Sequence, residues 1–136
     1  MLSMYPAIFY KESNGQYSVI FPDLNHLSTC GKDLQEAMSM AVDCLAGYIY
    51  ESKLEHEELP LASSVDKIDI NDEYEDYESA FVNMVMVDVE LYAKEHFNKA
   101  VKKTLTIPKW LNDAALAHNL NFSKILQEAL KEKLAL

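Results

Sequence analysis

Several acidic side chains in this 136-residue chain belong to the type that binds catalytic metals. Asp66, Asp69, Asp72 and Glu73 fall in one short polar stretch, and Asp88 ends an apolar segment. Two-metal nucleases need several carboxylates that converge on ions about 4 Å apart. Acids grouped in a polar stretch are typical of a solvated face, and we interpret these acids in that way.

The other residues of catalytic type lack suitable partners. His96 and His118 fall on predicted helices with no evident nucleophile beside them, which gives no support to a hydrolase triad. Cys30 and Cys44 make no disulfide framework, and with four scattered histidines they match no zinc spacing. We therefore predict no catalytic residue, no metal and no cofactor, and interpret the two thiols as buried or free in the cytoplasm.

The distribution of charge indicates binding partners instead. Residues 1–100 hold six lysines and nineteen acidic residues, a formal charge of −13, whereas residues 101–136 hold six lysines and three acidic residues, a charge of +3. A basic segment can neutralise phosphates, and an acidic body repels them and attracts basic proteins. The alternative is that both charges serve solubility alone.

Composition and length predict a globular cytoplasmic protein. Hydrophobic residues make up 49% of the chain and charged residues 25%. No apolar run reaches the roughly 18–20 residues of a membrane span. The first ten residues lack the basic and small-residue features of a secretory signal.

The residue pattern of the N-terminal half predicts an antiparallel meander followed by a helix. Strands are predicted over residues 4–11, 16–21 and 27–31, and Asn14-Gly15 predicts the hairpin turn because both residues tolerate positive φ. Asp33 and Glu36 have capping-box spacing at the start of a helix. Its periodic pattern weakens in the charged stretch 51–58, and the helix is predicted to end before Pro60. Its apolar face is predicted to be Leu34, Ala37, Met38, Ala41, Val42, Leu45, Tyr48 and Ile49.

The next segment completes an α+β domain over residues 1–98. Residues 65–71 alternate weakly and predict a short strand, and residues 72–78 predict an acidic turn. Residues 81–89 are apolar on both faces except at Asn83, which predicts a strand covered on both sides. A short helix is predicted over residues 90–98.

Residues 101–136 form a second predicted module. Residues 101–107 alternate strictly, as in a strand, and Pro108 suits the first turn of a helix over residues 109–118. Residues 119–121 predict a turn, after which Asn121 or Ser123 can cap a second amphipathic helix.

One strand and two helices in this length cannot bury enough surface alone, so we predict a two-fold dimer with an antiparallel ribbon. Lys102, Thr104 and Thr106 would lie on the outer face of the ribbon, which fits the major groove of DNA. Backbone N–H groups near Asn121, Ser123 and Lys124 could hold a phosphate. The predicted dimer core is Leu105, Ile107, Leu111, Ile125, Leu126 and Leu130.

This C-terminal pattern resembles the ribbon-helix-helix family of DNA-binding proteins, in its sequence from Lys102 to Pro108 followed by two helices. The resemblance implies that Lys102, Thr104 and Thr106 read bases. Family members often use Arg there, and this chain has none, which limits base discrimination because Thr makes single contacts. The alternative is a ribbon that only dimerises.

The N-terminal part is similar to the HicB antitoxins. The similarity lies in Tyr5-Pro6-Ala7-Ile8-Phe9, residues 15–24, Thr29-Cys30-Gly31 and the helix start at Asp33, and it departs at residues 25–27. The resemblance implies a partial ribonuclease H fold joined to a ribbon-helix-helix module that forms an intertwined dimer. It also implies a toxin–antitoxin system whose HicA toxin is a small, basic, RNA-binding ribonuclease that cleaves mRNA.

The resemblance implies a role for the acidic domain, because this domain would attract a basic toxin and compete with RNA for the toxin. We predict Asp23, Glu36 and Asp43 as toxin contacts. The predicted partners are a HicA-type toxin, operator DNA for autorepression and a second copy of the chain, with a higher-order toxin complex left open. An enzyme is disfavoured, since no Asp lies in the first strand, where an active ribonuclease H-like site would need one. The alternatives are an orphan ribbon-helix-helix regulator and a protein-binding module.

Overall fold

The computed structural model describes residues 1–71, 76–97 and 99–136. The chain divides into two compact units, Met1–Lys99 and Ala100–Leu136. Among the described residues, the first unit contains a four-stranded sheet and two α-helices, and the second contains two α-helices. The predicted α+β class is confirmed. No helix among the described residues has the length and apolar character required to cross a membrane.

The sheet of the first unit is antiparallel, with the strand order β3-β2-β1-β4. Its strands are β1 (Leu2–Lys11), β2 (Tyr17–Phe21), β3 (Leu27–Gly31) and β4 (Ser79–Asp88). The predicted hairpin between β1 and β2 is confirmed, but only Gly15 adopts a positive φ, of 88°. Asn14 keeps a negative φ and supports the turn by accepting a hydrogen bond from the backbone N–H of Gln16 at 3.0 Å.

Helix α1 (Leu34–Leu54) covers one face of the sheet. Asp33 caps it as predicted, accepting from the N–H of Glu36 at 2.8 Å, whereas the Glu36 carboxylate accepts from the N–H of Lys32 at 3.2 Å. The core between helix and sheet includes Phe9, Val19, Phe21, Leu24, Ala37, Ala41, Leu45, Ile49 and Val85. Of the predicted apolar face, Leu34 is 42% exposed, because the first turn extends beyond this core.

The predicted strand over residues 65–71 is wrong. Residues Val65–Lys67 form a 3-10 turn, and the residues after it pair with no strand of the described sheet. Ile68 and Ile70 instead pack on the second face of the sheet, where the Tyr10 hydroxyl donates to the carbonyl of Ile70. Side-chain packing thus replaces a backbone ladder here. Of the predicted acidic turn, residues 72–75 lie outside the described residues.

For residues 81–89, the predicted strand is confirmed, but the prediction that it is covered on both sides is wrong. A strand forms, but β4 lies at the edge of the sheet, and Phe81 and Met86 are 39% and 52% exposed. Helix α2 (Val89–His96) follows directly, close to the predicted range, whose last residue, Asn98, lies outside the described chain.

In the second unit, α3 (Lys109–Ala117) and α4 (Phe122–Lys133) match the predicted helices. Asn119 adopts the predicted left-handed conformation, with φ of 54°, and Asn121 caps α4 by accepting from the N–H of Lys124 at 3.1 Å. Residues 101–107 have no strand partner within the described chain. An antiparallel ribbon requires a second copy, so that prediction stays open.

Candidate partner-binding surfaces

A groove of about 400 Å³ lies along α1, and Asp43, Glu51, Glu55 and Glu57 are among the residues that line it. A second cleft of about 410 Å³ shares Glu57 with it and adds Asp23 and Glu58. The two clefts also share Tyr48 and Ser52. We call the surface formed by these six acids the acidic groove. None of the described residues that line it is a lysine.

The groove follows from the spacing of residues on α1. Asp43, Gly47, Glu51 and Glu55 are four residues apart, so they lie along one side of the helix. Gly47 lacks a side chain in the middle of this row, and a Cβ there would meet only the ring of Phe97, at 3.9 Å. The four-residue spacing is visible in the sequence and could have identified Glu51 and Glu55, which were not predicted as toxin contacts.

Asp43 lies at one end of the acidic groove and joins α1 to α2. Its carboxylate accepts a hydrogen bond from the Tyr92 hydroxyl at 2.9 Å. Burial raises the pKa of Tyr92, and the hydrogen bond and negative charge of Asp43 raise that pKa further. The Tyr92 ring stacks on the ring of His96, with centroids 4.0 Å apart. Asp43 is therefore an exposed carboxylate held in a fixed position, as a contact for a basic partner requires.

Asp23 has a structural role beside the same groove. Its two carboxylate oxygens accept hydrogen bonds from the backbone N–H and the hydroxyl of Ser63, both at 2.7 Å. The Tyr5 hydroxyl donates to the carbonyl of Pro60 in the same segment. The residues after α1 are thereby attached to the sheet domain at two points, next to the groove acids Glu57 and Glu58.

We expect Asp23→Ala to lower the free energy of unfolding by about 1–3 kcal/mol, because it leaves the partly buried N–H and hydroxyl of Ser63 without their acceptor. Urea denaturation measures this change. Asp66→Ala removes an exposed carboxylate of the 3-10 turn and serves as the control, with an expected change within about 0.5 kcal/mol. Equal effects of the two substitutions would contradict the role assigned to Asp23.

Glu36, the third predicted toxin contact, lies at the start of α1 and lines neither cleft of the acidic groove. Besides its bond to the N–H of Lys32, its carboxylate is 3.8 Å from the Lys32 ammonium group. The structure thus brings Asp23 and Asp43 to one surface and leaves Glu36 at the helix N-terminus.

The groups considered for catalysis have other roles. Asp88 caps α2 by accepting from the N–H of Leu91 at 3.2 Å, and this bond together with the N-terminal amine, 3.3 Å away, lowers the pKa of Asp88. Burial, followed by the charge of Asp43, raises the pKa of Cys44, which disfavours a reactive thiolate. Within the described ranges, no three His, Cys, Asp or Glu side chains form a group that could hold a metal.

The predicted DNA-binding residues are all exposed in the second unit. Lys102, Thr104 and Thr106 lie on the segment before α3, which forms no helix or strand in the single chain. At the start of α4, Asn121 forms the cap, and Ser123 accepts a hydrogen bond from the Gln127 amide at 3.1 Å. The segment before α3 and the N-terminus of α4 each offer polar groups to solvent, as phosphate or base contacts require.

The predicted dimer core is uncovered in the single chain. Leu105 is 62% exposed, Leu130 52% and Ile125 44%, and α3 and α4 contain no buried residue. Ile107 and Leu111 are also exposed, and Leu126 is half-buried. Trp110 on α3 is 71% exposed and was not predicted as a dimer-core residue. Its position two residues after Pro108 is the signal that could have identified it.

An acidic sheet domain joined to a small helical unit with an uncovered apolar surface defines a two-module protein whose surfaces suit macromolecular partners. The family model described as "HicB_like antitoxin of bacterial toxin-antitoxin system" matches residues 5–129. The chain therefore belongs to the HicB-like antitoxin family, as the sequence resemblance predicted. Family membership indicates a regulator rather than an enzyme.

Two solved structures are similar to the chain over nearly its whole length. A toxin–antitoxin complex from Streptococcus pneumoniae contains a chain 32% identical, with 98% of this chain and 99% of that chain covered and a TM-score of 0.62. The antitoxin HicB of Burkholderia pseudomallei is 19% identical, with 97% and 96% covered and a TM-score of 0.53, and shows the fold alone. No curated protein sequence gives a significant match.

Proposed function

We propose that this antitoxin neutralises a HicA-type, mRNA-cleaving ribonuclease by occluding its RNA-binding surface with the acidic groove. As a dimer joined through its C-terminal unit, it binds operator DNA in the major groove and represses its own operon. Both targets place the protein in the cytoplasm. The observation that carries the proposal is the separation of charge between an acidic groove on the first unit and exposed lysines on the second.

Electrostatics supports the toxin part of the proposal. A ribonuclease that binds RNA needs a positive surface, and five of the acids that line the acidic groove are exposed to such a surface, namely Asp43, Glu51, Glu55, Glu57 and Glu58. Complementary charge accelerates association and excludes RNA from the same site. Asp43 is a direct contact in this proposal. Asp23 positions the segment that carries Glu57 and Glu58, and Glu36 is a peripheral contact at most.

The uncovered C-terminal unit supports the DNA part of the proposal. Its exposed apolar residues need a partner, and a second copy supplies one with two-fold symmetry. Residues 101–107 of two copies then pair as a ribbon, with Lys102, Thr104 and Thr106 on the outer face and Leu105 and Ile107 on the inner face. The alternative of a ribbon that only dimerises predicts the same dimer without DNA binding.

The decisive experiment is a binding assay with the product of the adjacent small reading frame, combined with an RNA-cleavage assay. We expect a stable complex and loss of ribonuclease activity at about one antitoxin site per toxin. A complex that leaves RNA cleavage intact would contradict neutralisation by occlusion. Absence of any complex would leave the orphan regulator as the better description.

A further inference from the structure

A cleft with an unusual concentration of lysine lies on the acidic first unit, between the C-terminal part of α1 and helix α2. Its volume is about 580 Å³. Residues 1–99 hold six lysines and nineteen acidic residues, yet the described residues that line this cleft include three of those lysines and a single acid. We call it the basic cleft, and its lining residues are Tyr50, Lys53, Leu54, Val89, Glu90, Ala93, Lys94, Phe97 and Lys99.

The three lysines of the basic cleft are exposed and form no ion pair with any described residue. Elsewhere in the unit, the Lys11 ammonium group lies 4.0 Å from the Glu78 carboxylate, and that of Lys32 lies 3.8 Å from Glu36. In a domain with so many carboxylates, three lysines that line one cleft without a carboxylate partner leave positive charge for an anion from outside the chain.

The ends of the two helices explain two of these lysines but not the third. Lys53 and Lys94 fall in the last turns of α1 and α2, where a positive charge interacts favourably with the helix dipole. Lys99 follows α2 and belongs to no helix. Its N–H donates to the carbonyl of Phe97 at 2.9 Å, which holds the Lys99 backbone next to another lining residue.

The remaining lining of the basic cleft is apolar and partly aromatic. Val89 is buried, whereas Leu54 is 59% exposed. The Phe97 ring lies between two others, with centroid distances of 5.5 Å to Tyr50 and 5.6 Å to Tyr92, and these contacts fix its position.

This lining restricts the chemistry of a ligand. No described lining residue carries an amide or an aliphatic hydroxyl group, so the side chains offer little to the polar edges of a nucleobase or a sugar. Ligand sites are typically apolar clefts of about 300–1,000 Å³ in which a few polar or charged groups orient the ligand. An apolar lining with unpaired ammonium groups matches a molecule that is apolar at one end and anionic at the other.

We propose that the basic cleft binds a small organic anion with an aromatic or acyl body and a phosphate or carboxylate head group. The apolar side chains cover the body, and the lysine ammonium groups pair with the head group. Among the described residues, the basic cleft and the acidic groove share only Phe97 in their linings. The ligand site is therefore distinct from the groove, and the inference does not depend on the proposed function.

The first test titrates the full-length chain with 1-naphthyl phosphate and follows the amide chemical shifts of Leu54, Ala93 and Lys99. Two partial probes accompany it, because 1-naphthol has the same rings without the phosphate and inorganic phosphate lacks the rings. We expect saturable shifts at these amides with 1-naphthyl phosphate, and binding at least about tenfold weaker for each partial probe. Absence of shifts at the cleft, or equal affinity for either partial probe, would overturn the inference.

Substitutions that change charge test the role of the lysines. Lys53→Gln with Lys94→Gln should weaken binding of 1-naphthyl phosphate at least about tenfold, because it removes two of the three positive charges. Lys32→Gln with Lys67→Gln removes two lysines outside the cleft and should leave the affinity unchanged. Glu90→Gln should strengthen binding about threefold, because it removes the one negative charge of the lining. A merely destabilising effect does not produce this gain.

A steric variant tests the cleft itself. Ala93→Trp places a large ring in the cleft while keeping every charge, so it should abolish binding of 1-naphthyl phosphate. Circular dichroism shows whether this variant folds, and the charge variants decide the question if it does not. Equal losses in the cleft pair of lysines and the control pair, or unchanged binding by the folded Ala93→Trp protein, would overturn the inference.

Discussion

Reversal of two groove charges, Glu51→Lys with Glu55→Lys, is expected to weaken toxin binding by about 100-fold or more. Each substitution replaces an attraction with a repulsion against a basic partner, and about 1.4 kcal/mol of lost binding free energy per site already amounts to a tenfold change. Both residues lie at the C-terminal end of α1, where a positive charge is favourable for the helix, so the fold should tolerate the change.

The matched control for the groove reversal is Asp66→Lys with Asp76→Lys. This pair changes the net charge of the domain by the same amount at two exposed acids outside the acidic groove. Calorimetric titration with the toxin at two salt concentrations measures both variants. We expect the control to retain most of the affinity. A loss as large as that of the groove variant would show that net charge alone attracts the toxin and that the groove is not the binding surface.

Substitution of Lys102→Ala with Thr104→Ala is expected to abolish the shift of operator DNA while leaving the dimer intact. Each dimer presents the two side chains twice, and a contact to a base or phosphate contributes about 1–3 kcal/mol, so the combined loss exceeds about 100-fold. Both residues are exposed in the single chain and lie on the outer face of the proposed ribbon. A mobility-shift assay against salt concentration, together with light scattering, measures both properties.

Lys131→Ala provides the comparison for the DNA variants, because it removes one lysine of the same unit from the end of α4, far along the helix from the capped N-terminus. We expect it to retain most of the DNA affinity. If DNA binding survives the double substitution, the ribbon is not the reading face. Loss of both DNA binding and the dimer would instead place Lys102 and Thr104 in the association surface.

The periodicity and cap residues in the sequence predict most of the elements. Period-two and period-3.6 patterns correctly predict β1, β2, β3, α1, α3 and α4, and Asp33 and Asn121 cap the helices expected of them. These features depend on local backbone chemistry, which the residues themselves determine. The exceptions are residues 65–71 and the exposure of β4. Packing of side chains on the sheet decides the first, and the strand order of the sheet decides the second.

The predicted toxin contacts also divide into one that depends on local sequence and one that depends on a distant segment. The place of Asp43 on the first helix predicts a toxin contact, and in the structure Asp43 is exposed and lines the acidic groove. The charge of Asp23 predicts a toxin contact, but its carboxylate oxygens are bonded to Ser63, forty residues further along the chain. A sequence pattern cannot show that bond, because it forms only when the segment after α1 returns to the loop after β2.

By itself the sequence determined the α+β class, the helix caps, the resemblance to HicB antitoxins and the change of charge near residue 100. Each is a property of residue types and short spacings, which fix local conformation and formal charge. Only the tertiary structure decided that the acids of α1 share a groove with Asp23, and that an apolar strand lies at the edge of the sheet. Both are set by contacts between segments distant in sequence, where packing and strand order decide which side chains remain free for a partner.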